Sequence, residues 1–141
     1  MQQHLSVRPN HVAYAVASIS ETAAWYERIF GFKIIAEWEL ESLNTKAAML
    51  SNVHYKIELF EKQQASPTPA DDHQSPTDDF TKRGLIHVAL TVESITEAKA
   101  SLERLHVPLV TKINQNPVLK DRWLFIKDPN GVFIELVEEA G

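Results

Sequence analysis

The sequence predicts an α+β fold in which two copies of one βαβββ module follow each other along the chain. Residues 10–30 and 86–106 carry the same residue at ten of 21 aligned positions, at a constant offset of 76 residues. Each block joins a strand pattern to a helix pattern, and further strands are predicted after it. Two such copies fill the 141 residues. A repeat of this size and number indicates a duplicated module within a single domain rather than a solenoid.

Each copy opens with a strand and a helix. Residues 11–16 alternate and are rich in apolar and β-branched types, as in a half-buried strand. Residues 18–21 and 94–97 have the Ser-x-x-Glu pattern of a capping box, which begins a helix. Gly31 is well placed to end the first helix in the left-handed conformation, and Pro108 marks the exit from the second.

Three strands are predicted after each helix, at 32–38, 46–50 and 54–60 in the first copy and at 109–113, 122–127 and 132–137 in the second. The Asp-Pro-Asn-Gly sequence at 128–131 predicts a turn, because Pro fixes one dihedral angle and Gly permits positive φ. Residues 62–83 are rich in Pro, Asp, Ser and Thr and show no periodicity, so we expect an exposed, mobile linker. Module one therefore spans 8–61 and module two 84–139.

The composition excludes several classes of function. The formal net charge of -5 offers no electrostatic basis for binding nucleic acid. The chain has no cysteine, which excludes disulfides, thiolate catalysis and cysteine-ligated zinc. It has no leader-like start, and no run approaches the roughly 18 apolar residues of a membrane span. We expect a soluble cytoplasmic protein that holds any metal ion by imidazole and carboxylate groups.

Four residues occupy equivalent positions in the two copies. His11 and His87 open the first strand of each module, and Glu58 and Glu135 follow 47 and 48 residues later within matching Ile-Glu-Leu triplets. Alternation places Glu135 among apolar residues, where an unpaired carboxylate would cost several kcal/mol. A lone strand histidine is more often a hydrogen-bonded structural residue, and a lone glutamate usually faces solvent. The joint pattern favours one divalent metal ion held by all four residues.

Other residues are candidates for substrate contact. In a strand over 54–60, His54 and Lys56 would share the face of Glu58, while Val53 would point to the core. They are the best candidates for contacting an anionic substrate, and a solvated sheet edge is the alternative. Aromatic residues in strands belong more often to the core, but three of them are candidates to line a pocket: Trp38, Trp123 and Phe125.

These residues resemble the vicinal oxygen chelate superfamily, which includes glyoxalase I, methylmalonyl-CoA epimerase, extradiol dioxygenases and the fosfomycin- and bleomycin-resistance proteins. The matching stretches are 11–13, 25–32, 57–59, 87–89 and 125–136. The resemblance implies a glyoxalase-like fold in which paired βαβββ modules curl into a cup-like mixed β-sheet around one metal ion. It also implies a small-molecule substrate and a homodimer.

The resemblance extends to the chemistry. The family's ligand positions fall on His11, Glu58, His87 and Glu135, a set that suits six-coordinate Ni, Co, Mn, Fe or Zn. The implied protein is a lyase or isomerase of the glyoxalase type. Its ion polarises a chelated substrate oxygen and stabilises an enediolate, while a carboxylate takes the adjacent proton. Glu135 is the first choice for that catalytic base and Glu58 the second.

Departures from the family pattern leave alternatives open. Bacterial glyoxalase I carries an Arg where this chain has Ala15 and an Asn where it has Lys62, and both of those residues help to hold glutathione. Methylmalonyl-CoA epimerase resembles residues 11–15 but usually has Gln at the position of Glu58. A methylmalonyl-CoA-epimerase-like enzyme is one alternative. A non-catalytic, resistance-type protein that binds a small molecule is the other, although such binders typically lack metal ligands.

Overall fold

The computed structural model describes residues 4–62, 75–76 and 83–141. The chain divides into two compact units, Met1–Ala65 and Ser66–Gly141. Within the described residues each unit carries one α-helix and one four-stranded mixed sheet, which confirms the α+β fold and the two βαβββ modules. Most of the predicted linker over 62–83 lies outside the described residues. No helix in the described ranges is long and apolar enough to cross a membrane.

The first unit contains β1 (His11–Ala15), α1 (Ile19–Phe30), β2 (Lys33–Leu40), a 3-10 turn (Glu41–Leu43), β3 (Thr45–Ser51) and β4 (Lys56–Lys62). Its strands are ordered β1-β4-β3-β2, with β1 parallel to β4 and the other pairs antiparallel. This order brings the first and last strands of the module side by side. A residue that opens β1 can therefore meet a residue of β4.

The second unit contains β5 (Val88–Thr91), α2 (Ile95–Arg104), β6 (Asn114–Gln115), β7 (Arg122–Lys127) and β8 (Phe133–Glu138). The strand order is β5-β8-β7-β6, with β5 parallel to β8. The topology is the same as in the first unit. The two copies seen in the sequence thus share their strand order and strand pairing as well as their local sequence pattern.

One face of each sheet belongs to the core. In β4, Ile57 and Leu59 are 2% and 0% exposed, and Tyr26 of α1 is 1% exposed. In β8, Ile134 and Leu136 are equally buried. Because side chains alternate along a strand, the residues between them lie on the opposite, open face of the sheet. Glu58 and Glu135 are two of those residues.

The helix starts are held in two ways. The Ser18 hydroxyl accepts the N–H of Glu21 at 3.2 Å, and the Ser94 hydroxyl accepts the N–H of Glu97 at the same distance, as predicted. A second acceptor comes from the last strand of each module. Glu61 accepts the Ile19 N–H at 2.7 Å, and Glu138 accepts the Ile95 N–H at 3.1 Å. Each helix is therefore tied to the same strand that carries Glu58 or Glu135.

The two predicted turns next to these elements are confirmed. Gly31 ends α1 with φ 75°, in the left-handed region that glycine tolerates best. In the 128–131 turn, Asp128 Oδ1 accepts the N–H groups of Asn130 and Val132 at 2.8 and 2.9 Å, and Gly131 has φ 83°. These side-chain bonds fix the reversal between β7 and β8 and hence the register that places Glu135.

The strand predicted over 109–113 is wrong, because the strand of this region is only Asn114–Gln115. Pro108 has no N–H to donate to a ladder. The Val110 N–H does reach the carbonyl of Phe125 at 2.8 Å. However, the N–H of Phe125 donates to the Thr111 hydroxyl at 3.1 Å and not to a backbone carbonyl. The Thr111 hydroxyl thus takes the place of the backbone carbonyl that would have continued the sheet.

The strand predicted over 54–60 begins two residues later than expected, at Lys56. The Asn52 side chain accepts the N–H groups of His54 and Tyr55 at 3.0 and 2.9 Å, which makes this segment a turn. Val53 is 92% exposed, so the prediction that it points to the core is wrong. Because His54 precedes the strand, strand alternation does not determine the face on which its side chain lies.

Candidate metal centre

The first His–Glu pair lies on the open face of the first sheet. The parallel register sets His11 opposite Lys56 and Ala13 opposite Glu58, so His11 and Glu58 are diagonal neighbours. Their nearest atoms, His11 Nε2 and Glu58 Oε1, are 3.3 Å apart. The side chains are 35% and 18% exposed, so both remain open to a ligand. We call this pair the first half-site.

A neighbouring amide fixes the proton of His11. The Nδ1 atom lies 2.6 Å from Asn10 Oδ1, and because an amide oxygen only accepts, Nδ1 donates its hydrogen there. In the neutral ring the lone pair is then on Nε2, which faces the Glu58 carboxylate at 3.3 Å. Two acceptors at that distance repel each other unless they share a cation. A metal ion or a second proton on the ring meets that need.

The second His–Glu pair repeats this geometry in the other unit. His87 Nε2 and Glu135 Oε2 are also 3.3 Å apart, with side chains 29% and 22% exposed. Glu135 stands between two buried residues of β8 and is aligned with Phe125 of β7. The His87 ring meets the Phe125 ring edge to face, with centroids 5.0 Å apart. We call this pair the second half-site.

The donor atoms fit a divalent ion. Two ligands about 2.1 Å from one ion and about 90–109° apart lie about 3.0–3.4 Å from each other. The two observed separations of 3.3 Å fall in that range. Among the residues that the structure describes, no three His, Asp or Glu side chains gather into one metal-holding group. The structure thus brings the four predicted ligands together as two pairs, and the complete set of four stays a prediction.

The second half-site opens into a cavity of about 380 Å³ within its own unit. His87 and Glu135 line it. The other walls are formed by Pro76 and by residues of β7, β8 and the turn over 116–121: Asn116, Leu119, Asp121, Trp123, Phe125 and Val137. Trp123 and Phe125 were singled out from the sequence, whereas the turn residues were missed. The Asn116-Pro117 dipeptide is a turn signal that could have marked this segment.

The remaining candidates lie in the first unit, in different surroundings. Lys56 shares the open face with Glu58 and stands opposite His11 in the ladder. His54 is exposed in the turn that precedes β4. Trp38 lines another hollow, of about 510 Å³, whose lining residues include neither His11 nor Glu58. Of these three residues, only Lys56 is placed next to a half-site by the strand pairing.

The family of the chain follows from comparison with known proteins. A model of the Glyoxalase/Bleomycin resistance protein/Dioxygenase superfamily matches residues 8–136. The chain therefore belongs to this superfamily, which confirms the resemblance described above. The matched range includes both half-sites and the lining residues of the second-unit cavity except Val137.

Individual relatives agree with this membership. The uncharacterized protein YaeR of Escherichia coli (strain K12) is 31% identical over 131 residues, which cover 92% of this chain and 95% of YaeR. The Arabidopsis thaliana protein named Glyoxylase I 4 is 26% identical over 127 residues, or 90% of this chain and 68% of that protein. A solved glyoxalase family protein from Enterococcus faecalis is 24% identical and superposes with a TM-score of 0.78, covering 93% and 97% of the two chains. The last similarity shows the shared fold.

Proposed function

We propose that the chain is a divalent-metal-dependent lyase or isomerase that moves a proton on the carbon next to a chelated substrate oxygen. The observation that carries this proposal is the twin pairing of an imidazole Nε2 with a carboxylate at 3.3 Å, once in each unit. In the first pair Asn10 holds the proton of His11 on the far side of the ring. The relative named Glyoxylase I 4 supports the same class of chemistry.

In this proposal the two half-sites supply one ion with two nitrogen and two oxygen ligands: His11, Glu58, His87 and Glu135. Such a set leaves positions open for substrate on six-coordinate Ni, Co, Mn, Fe or Zn. A bound ion would supply Lewis acidity, which makes the C–H bond beside the chelated substrate oxygen more acidic. The proposal also includes a homodimer, as the resemblance to the family implies.

The proton transfer itself is assigned to a carboxylate. Glu135 is the first choice, because it lines the 380 Å³ cavity and can approach a substrate held there. It would accept the proton from the substrate carbon and return it to the neighbouring carbon, so that it ends the cycle ionised. Glu58 is the second choice, and Lys56, which shares its sheet face, would bind an anionic substrate oxygen.

Two residues of the chain depart from the pattern with which family members hold glutathione. Ala15 ends β1 and Lys62 ends β4, where family members that bind glutathione have Arg and Asn. A short apolar side chain at position 15 cannot hold a carboxylate. The same proton chemistry on an acyl thioester would give an epimerase, which solvent-deuterium exchange into an acyl-CoA substrate would detect.

Metal content separates the enzyme from a metal-free binder. We expect protein purified without chelator to contain about one divalent ion per chain, and His87→Ala to lose it. His4→Ala, which changes a histidine of the N-terminal segment, is the matched control and should keep the ion. Elemental analysis of the three proteins decides the matter. Absence of a bound ion from all three would overturn the ligand assignment.

An activity assay tests the assignment of Glu135 as the catalytic base. Metal-loaded protein should isomerise the hemithioacetal of methylglyoxal and a suitable thiol to the 2-hydroxyacyl thioester, or exchange solvent deuterium into an acyl-CoA substrate. Glu135→Gln removes the proton acceptor and should lower kcat by about 10²–10⁴-fold. Metal content of the variant is measured in parallel, so that loss of the ion is not mistaken for loss of the base. A Glu135→Gln protein that keeps both its ion and its full activity would contradict the assignment.

A further inference from the structure

We propose that the cavity beside the second half-site selects substrates whose variable group is apolar and uncharged. Its selecting surface consists of Leu119, Trp123, Phe125 and Val137, which we call the apolar wall. The inference rests on the proposed function, because it names the kind of substrate that the same site takes. It also has a part that can be tested without any metal ion.

The sheet holds most of the apolar wall in a fixed position. The antiparallel register aligns Phe125 with Glu135 and Trp123 with Val137, so four neighbouring open-face residues come from only two strands. The Trp123 and Phe125 rings meet edge to face with centroids 5.6 Å apart, and Phe125 contacts His87 in the same way. Rings locked by such contacts lose little further entropy when a ligand packs against them.

The turn over 116–121 completes the wall with Leu119. Asn116 Oδ1 accepts the N–H groups of Val118 and Leu119 at 2.8 and 2.9 Å, and the Asn116 N–H donates to the Asp121 carbonyl at 2.8 Å. Leu119 is 63% exposed although it lines the cavity. An apolar side chain held open by its own turn gains stability when a ligand covers it.

The charges of the cavity oppose an anionic ligand. The ionisable side chains among its described lining residues are His87, Asp121 and Glu135, and no Lys or Arg is among them. Asp121 also accepts the Ala140 N–H at 2.9 Å, which keeps this carboxylate in place. The chelating oxygens of the substrate would take the open positions on the proposed ion. A further carboxylate on the variable group would then lie near Asp121, with no Lys or Arg among the described lining residues to offset its charge. The cavity volume of about 380 Å³ suits one compact group rather than a long tail.

Three hydroxamate probes with one chelating group and different tails test the selection. Mandelohydroxamate carries a phenyl group, lactohydroxamate a methyl group and malohydroxamate a carboxylate. Calorimetry on metal-loaded protein should show the phenyl probe binding at least about tenfold tighter than the methyl probe, because the ring buries more apolar surface. The carboxylate probe should bind more weakly than the methyl probe. Equal affinities, or tightest binding of the carboxylate probe, would overturn the proposal.

Two neighbouring substitutions give a matched comparison. Leu119→Ala should reduce the preference for the phenyl probe severalfold, and Trp123→Ala should abolish it. Val118→Ala changes an 83% exposed residue of the same turn that is not part of the wall, and it should leave the preference unchanged. An equal effect of Leu119→Ala and Val118→Ala would mean that the turn, and not the wall, determines binding.

A second measurement keeps this inference separate from the proposed function. In chelator-treated protein, benzyl alcohol should shift the NMR signals of the Trp123 indole and the Leu119 methyl groups, and benzoate should shift them less. If no hydroxamate binds the metal-loaded protein but benzyl alcohol gives these shifts, the metal function fails while the apolar wall stands. If benzyl alcohol gives no shift at these residues, the apolar wall is refuted whatever the metal result.

Discussion

At the scale of single residues, the two half-sites share a distance but differ in support. Asn10 precedes His11 and accepts its Nδ1–H at 2.6 Å. The residue before His87 is Ile86, whose side chain has no acceptor. The His87 ring instead packs nearly at right angles to the Phe125 ring. An imidazole whose far nitrogen is hydrogen-bonded presents its lone pair more consistently to a metal ion. The first half-site is therefore the better prepared of the two.

This difference gives a prediction for Asn10. Asn10→Ala removes the acceptor and should weaken metal affinity by about 10–100-fold, the usual effect of losing a partner behind a ligating histidine. Asn10→Asp keeps an acceptor oxygen at the same place and should retain most of the affinity. Competition against a coloured chelator measures both variants beside the wild type. An unchanged affinity in Asn10→Ala would show that the amide does not prepare the ring.

At the scale of strands and helices, β4 and β8 each carry two glutamates with different roles within five residues. Ile57–Glu61 reads Ile-Glu-Leu-Phe-Glu and Ile134–Glu138 reads Ile-Glu-Leu-Val-Glu. The first glutamate of each lies on the open face, and the second, three positions later, lies on the helix face and accepts the N–H that starts the helix. The repeated triplet noted in the sequence is thus part of a repeated pentapeptide. The second glutamate was present in the sequence signal but was not recognised.

The Glu138 carboxylate makes stability depend on pH. Its hydrogen bond from the Ile95 N–H, and then its bond with Arg122, hold the pKa of Glu138 below the usual value for glutamate. A lowered folded-state pKa adds stability above the unfolded-state value, and that stability is lost as the pH falls through the folded-state value. Glu138→Gln should therefore be less stable than wild type at neutral pH, and the difference should shrink towards pH 3.

Urea unfolding at several pH values checks this prediction. Glu103→Gln, which neutralises an exposed glutamate of α2, serves as the control and should follow the wild-type curve closely. A Glu138→Gln deficit that stays constant from neutral pH to about pH 3 would point to lost packing rather than to the lost charge.

At the scale of the whole molecule, the fold could be predicted because its two halves repeat. Capping boxes, strand alternation and the glycine turns are all local signals, and the repeat made the capping boxes and the first strands visible twice. The sequence singled out His11 and Glu58 by their matching positions in the repeat, and the parallel alignment of β1 and β4 brings the two side chains within 3.3 Å. The open-face position of Lys56 followed from alternation alone.

The parts that could not be predicted depend on side chains that replace backbone partners. Thr111 takes the N–H of Phe125, and this ends the strand expected over 109–113. Asn52 takes two N–H groups and turns the segment that contains His54. Asn116 does the same in the turn that carries Leu119, where the Asn116-Pro117 dipeptide signals a turn but not these hydrogen bonds. Each of these bonds requires a particular three-dimensional neighbour or rotamer, and hydrophobic periodicity holds no information about either.

The five-residue stretches of β4 and β8 have a consequence for how this protein tolerates change. A slip of either strand by one position would exchange its two faces. The glutamate proposed as a metal ligand would then turn into the core, and the helix would lose the carboxylate that accepts its first N–H. Loss of function and loss of folding are thereby joined in one event. Insertions and deletions between Glu58 and Glu61 should therefore not be tolerated. Single substitutions in the cavity beside the second half-site should be tolerated, because they leave the strand register unchanged.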